Sequence, residues 1–111
     1  MLDRSIRYAA VVDKLGHIVA QKYRLHLEPI MTIEESERYA LQATIRQSTR
    51  NTWDKKMGKA LYSFTRYDRL VRAAIPLAES HLLLLSCDIE IKNVDSLLMN
   101  KIIPKLKLYH S

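Results

Sequence analysis

The side chains able to do covalent or metal chemistry are few and dispersed. His17, His26, His81 and His110 lie far apart, and neither an H-E-x-x-H nor a C-x-x-C spacing occurs, so the clustered ligands that a metal site needs are missing. Cys87 is the only cysteine. It closes an apolar run, where a thiol is an inert core group rather than a nucleophile. A phosphate-cradling loop needs glycines at fixed spacings so that backbone N–H groups can approach, and only Gly16 and Gly58 are present. Asp13 and Asp88 each end an apolar run. As neighbours they would form an acid pair with one raised pKa, whereas turn capping is the simpler role. No catalytic, cofactor-binding or metal-binding residue is assigned, no cofactor is expected, and the chain is not expected to be an enzyme.

Binding chemistry is better represented. The formal net charge is +6, from eighteen Lys and Arg against twelve Asp and Glu. An acidic partner suits that balance, but the basic residues are spread along the chain without a run of five or six. A nucleic-acid footprint needs clustering, so nucleic acid is not the expected partner. Arg38, Arg46 and Arg50 fall in one helical segment, the last two a turn apart. They form either a solvated face, paired to Glu34 or Glu35, or a docking surface for an acidic protein. Tyr39 and Trp53 lie off the main apolar stripe of that segment. Core placement is favoured for them because large apolar side chains are usually buried; the alternative is interface anchoring, where aromatics are enriched. Arg46, Arg50 and Trp53 are the candidate partner-binding residues.

These side chains must be positioned by a small number of elements. Residues 8–13 form a strand apolar at nearly every position, as in a strand covered on both faces. A turn at residues 13–17, with Gly16 free to adopt positive φ, leads into a partner strand at 18–22. Residues 24–31 are a connection, where Pro29 excludes a ladder. Thr32 and Glu35 match a capping box, and a helix is expected to run to about Met57 and stop at Gly58. Its expected buried stripe is Ile33, Ala40, Leu41, Thr44, Ile45, Ser48 and Thr52. Three strands follow, at 60–67, 70–77 and 82–87, with Pro76 marking a bulge or strand end. Asn93 can cap a last helix whose stripe is Leu98, Ile102, Leu106 and Tyr109, with Leu97 and Ile103 flanking and Pro104 kinking or restarting it.

Burial orders the strands. The two wholly apolar ones, 8–13 and 82–87, belong at the centre, and hairpins keep neighbours adjacent. The expected fold is therefore α+β: a five-stranded antiparallel sheet in the order 2-1-5-4-3, with one long and one C-terminal helix in the sequence β-β-α-β-β-β-α. Helices must cover both sheet faces. The strand at 60–67 becomes an edge, and Tyr62, Phe64 and Tyr67 make it the expected edge of a homodimer. A length of 111 residues, an apolar content of 48% and few Gly or Pro suit one domain spanning 1–111. No run approaches the ~20 apolar residues that span a bilayer. The opening Met1-Leu2-Asp3-Arg4 has no signal-peptide core, and the lone cysteine fits a reducing compartment, so a cytoplasmic location is expected.

The chain path resembles that of the roadblock and dynein light chain 7 family within the profilin-like group. At motif level it is similar to an uncharacterised family from ammonia-oxidising archaea. The stretches that carry this are Arg7-Tyr8-Ala9-Ala10-Val11-Val12-Asp13-Lys14-Leu15-Gly16, Leu27-Glu28-Pro29-Ile30-Met31-Thr32-Ile33-Glu34-Glu35, Ser48-Thr49-Arg50-Asn51-Thr52-Trp53 with Lys56-Met57-Gly58, and His81-Leu82-Leu83-Leu84-Leu85-Ser86-Cys87-Asp88. The roadblock resemblance implies a dimerising scaffold or regulator, often beside small GTPases. The leading expectation is thus a non-enzymatic interaction module, a homodimer with a small GTPase or other acidic protein as partner. The alternative is a small-molecule sensor of profilin or PAS type, and the third reading is a nucleic-acid binder.

Overall fold

A computed structural model describes residues 3–110 of the chain, with side chains as far as residue 106. Strands β1 (Ile6–Val12) and β2 (Ile18–Tyr23) form the first hairpin. Asp13 builds its turn: Oδ1 accepts the N–H groups of Leu15 and His17, each at 2.9 Å, and the Asp13 carbonyl accepts from Gly16. Gly16 sits at φ +88°, and a Cβ there would fall 2.9 Å from the Leu41 Cα. The turn therefore presses directly onto the long helix α1 (Ile33–Asn51).

Helix α1 begins at the expected capping box. Thr32 Oγ1 accepts from the Glu35 N–H at 3.1 Å, and Glu35 Oε1 accepts from the Thr32 N–H at 2.9 Å. The helix ends earlier than expected. The Thr52 hydroxyl donates to the Thr49 carbonyl at 2.7 Å, a side-chain bond that competes with the helical ladder. A short helix α2 (Asp54–Met57) follows and stops at Gly58, φ +82°.

The buried stripe of α1 also differs from expectation. Ala40 is buried as expected and Thr44 half-buried, but Ala43 and Gln47 complete the inward face, while Ile33, Leu41, Ile45, Ser48 and Thr52 are exposed. The small row at 40 and 43 lets the helix backbone approach the sheet and the Gly16 turn, which rotates the larger apolar side chains outward.

The remaining strands are β3 (Ser63–Arg66), β4 (Leu70–Pro76) and β5 (Leu82–Asp88). Every pairing is antiparallel and the order is β2-β1-β5-β4-β3, as the burial argument required. Pro76 is the last residue of β4 and pairs with Leu82. Strand β3 is shorter than expected, so Tyr62 and Tyr67 flank it instead of lying within it.

Each sheet face has its own core. On one, Val12, Leu82 and Leu84 pack against Ala40 and Ala43 of α1. On the other, Ile6, Val71, Leu85 and Cys87 pack beneath Leu97, Leu98 and Ile102. A register shift between Ile6 and Tyr8 accompanies the entry of Ile6 into this second core. Ile6, Val12, Val71, Leu85, Leu98 and Ile102 are essentially fully buried. Full burial of such a side chain contributes roughly 1.5–3 kcal/mol.

The C-terminal cover is built in three pieces. Asn93 Oδ1 accepts from the Ser96 N–H at 2.9 Å and starts α3 (Val94–Leu97). A wider π turn over Leu98–Ile102 then leads into α4 (Ile103–His110), with Ile103 donating back to the Leu98 carbonyl. That wider turn accommodates Pro104, which has no N–H to continue an α ladder. The expected contribution of Tyr109 lies outside the described side chains.

Candidate docking surface

Arg46 and Arg50 project from the outer side of α1 and are exposed. Among the described residues neither has a carboxylate partner; Arg46 instead places its guanidinium 5.4 Å from the Tyr39 ring centroid. Trp53 follows at the junction between α1 and α2 and is 55% exposed. The favoured core placement of Trp53 is thus overturned: the helix break at Thr52 swings it away from the sheet. Tyr39 is half-buried and packs beside the α1 core. Its ring also carries the Arg72 guanidinium, 4.0 Å from the centroid. Burial pushes the Tyr39 hydroxyl pKa up, with Tyr67 adding to the shift and both arginines opposing it.

Strand β3 is the outermost strand on one side of the sheet. Phe64 and Tyr67 are substantially exposed there, and the Tyr67 N–H donates to the Leu70 carbonyl at 2.8 Å to close the β3–β4 turn. Tyr62 departs from its expected place at the edge. It is half-buried against the core under the C-terminal helices, and its ring stacks on Phe64 at 6.5 Å. Tyr67 and Arg46 are both neighbours of Tyr39. The fold thereby brings the arginine flank of α1 and the β3 side of the sheet together around one aromatic ring.

The expected alternatives for chemistry are placed as follows. Asp13 and Asp88 are not neighbours. Strand β1 runs antiparallel to β5, so Val12 meets Leu82 while Asp88 sits at the other end of the sheet. Both carboxyls titrate below the usual range. The backbone N–H groups of His17 and Leu15 hold Asp13 down; hydrogen bonds from Arg24, then Arg7, do so for Asp88. Arg24 meets Asp88 at 2.6 and 3.1 Å and Arg7 meets it at 3.1 Å, which ties the connection after β2 to β1 and β5. No spacing in the sequence signals this tie. Cys87 is fully buried and its thiol pKa is pushed up to about 11 by burial, so it holds its proton at neutral pH. Among the described residues no three His, Cys, Asp or Glu side chains cluster as metal ligands, and no helix is long and apolar enough to cross a membrane.

Sequence reasoning missed one further feature. A cleft of about 980 Å³ opens at the end of the sheet where β4 turns into β5, between the C-terminal half of α1 and helix α4. Its signal was present in the polar residues along one side of α1, Thr44 and Ser48 of the expected stripe together with Gln47 and Asn51, which the stripe did not include.

No protein-family model matches the chain, and no curated protein does. Solved structures do. The gliding protein MglB from Thermus thermophilus aligns over 96% of this chain and 73% of its own, with a TM-score of 0.69 at 17% identity. A roadblock/LC7 domain from Streptomyces avermitilis aligns over 95% of this chain and 85% of its own, with a TM-score of 0.67 at 11% identity. Myxococcus xanthus MglB aligns over 96% and 80%, with a TM-score of 0.66 at 11% identity. At these identities the likeness is one of fold: the chain has the roadblock/LC7 fold.

Proposed function

We propose that this chain is a cytoplasmic, non-enzymatic interaction module: a homodimeric roadblock-like scaffold or regulator of a partner protein, with a small GTPase as the expected class of partner. The resemblance to the archaeal family belongs to the same reading. The observation that carries it is the open β3 edge, with Phe64 exposed on it and Tyr67 exposed at its end near Arg46 of α1, on a roadblock/LC7 fold. An edge strand presents unpaired N–H and C=O groups that another chain can complete. Two such edges related by a two-fold axis would make one continuous sheet. One similar structure is described as MglB with a tetrameric arrangement, which supports an assembling role for the fold.

In this reading Arg46 and Arg50 supply positive charge to an acidic partner face, and Trp53 supplies an apolar anchor. Affinity capture from the source cell with wild-type protein and with an Arg46→Glu/Arg50→Glu variant tests it. A small GTPase retained by the first and lost by the second is expected. Equal retention by both removes the arginines from the interface.

A further inference from the structure

The cleft beside α4 has the chemistry of a ligand site and not of a packing fault. Over its C-terminal half α1 turns Thr44, Gln47 and Asn51 toward the cleft, while Leu41 and Ile45 point to solvent. A helix that served only the core would carry the opposite pattern. Gln47 is the sharpest case. It is only 7% exposed, its Nε2 donates to Asn51 Oδ1 at 2.9 Å, and among the described residues no donor meets its Oε1. That oxygen is not sealed from solvent, so it is free to accept from a donor bound in the cleft.

The facing wall is the β4–β5 turn. Glu79 and Ser80 both hold positive φ, 59° and 62°, without being glycine. Such backbone costs on the order of 1–3 kcal/mol per residue and tends to be kept where it serves a site. The floor is apolar, from Ile75, Leu77, Leu82 and Leu106. The charges are balanced: Lys14 and Lys59 stand against Asp54 and Glu79. That balance disfavours a polyanion such as a nucleotide, and no Phe, Tyr or Trp ring lines the cleft to stack a base.

We infer that this cleft binds a short zwitterionic peptide with apolar side chains. Its ammonium group is met by Asp54 or Glu79, its carboxylate by Lys14 or Lys59, its backbone amides by Gln47 and Asn51, and its side chains by the apolar floor. The volume lies within the range of pockets that enclose small ligands, roughly 300–1,000 Å³. The site stands independently of the docking reading, because its residues face the cleft while Arg46 and Trp53 are turned to solvent.

The test is a titration of the isotope-labelled full chain, followed by amide chemical shifts, with the dipeptide Leu-Leu and with its acetylated, amidated form. Saturable shifts confined to residues 44–51, 59–61 and 77–81 are expected, with the blocked dipeptide at least about tenfold weaker because both charged ends are lost. Gln47→Leu and Ser48→Leu should each abolish the shifts; Ser48 is exposed, so its variant folds even if the first does not. Absence of shifts at 10-fold molar excess and above, equal binding of the blocked form, unchanged shifts in folded Ser48→Leu, or shifts with a nucleoside triphosphate in place of the dipeptide would each overturn the assignment.

Discussion

The guanidinium of Arg72 lies 4.0 Å from the centroid of the Tyr39 ring, and this contact joins strand β4 to helix α1. Among the described residues Arg72 Nε is buried without a hydrogen-bond partner and Nη1 donates only to the weak acceptor Met31 Sδ at 3.8 Å, so the ring offsets much of the cost of half-burying the charge. A cation–π contact contributes about 0.5–2 kcal/mol, similar in size to the cost of the orphaned donor. Arg72→Met should therefore change stability by no more than about 1 kcal/mol. Tyr39→Ala removes the ring and leaves the cation uncompensated, and should cost about 3 kcal/mol or more. Denaturant melts of the two variants check this.

The two glycines separate backbone strain from close approach. Both have positive φ, but a Cβ at Gly58 meets nothing within 4 Å, while one at Gly16 meets the Leu41 Cα at 2.9 Å. Gly58→Ala should cost about 1–3 kcal/mol, the conformational penalty alone, because φ +82° with ψ 171° is backbone essentially reserved for glycine. Gly16→Ala should cost at least about 1 kcal/mol more, because helix α1 must move. Equal thermal shifts for the two would mean that the turn does not press on the helix.

Asp88 makes stability depend on acid. Arg24 and Arg7 lower its folded pKa below the unfolded carboxyl value. The unfolded state therefore binds its proton first as pH falls, so the stabilisation is complete above the unfolded pKa and is lost as pH drops through the folded one. Asp88→Asn should cost roughly 2 kcal/mol at pH 7. The gap between wild type and variant should narrow below about pH 4. Urea melts at pH 7, 4 and 2.5 measure that narrowing.

The arginine flank should be nearly silent for folding. Arg46 and Arg50 are exposed and unpaired among the described residues, so Arg46→Glu/Arg50→Glu should change stability by about 1 kcal/mol or less. A larger loss in a thermal melt would show that the Arg46 contact with Tyr39 supports the fold.

What the sequence revealed and what it hid have physical reasons. The strand order followed from two runs, Tyr8-Ala9-Ala10-Val11-Val12 and Leu82-Leu83-Leu84-Leu85, whose lack of alternation demands cover on both faces. The capping box and Pro76 are local devices and stood where their chemistry put them. Of the expected α1 stripe Ala40 is buried, but periodicity also favours the larger Ile33, Leu41 and Ile45, which are exposed because the short helix–sheet distance admits Ala40 and Ala43 instead. Turn capping is the simpler role for Asp13 and is the one it takes, while a pairing with Asp88 fails because antiparallel strands hold their C-terminal ends apart. The cleft joins residues from three separated segments, and no single stretch encodes it.

Light scattering on the chain at micromolar concentration tests the proposed homodimer most directly. The account predicts a mass twice the 12.9 kDa of one chain, falling to a single chain in Phe64→Lys/Tyr67→Lys, since lysine on an edge strand blocks pairing with another edge. A wild-type monomer, or a dimer that survives both lysines, would contradict it.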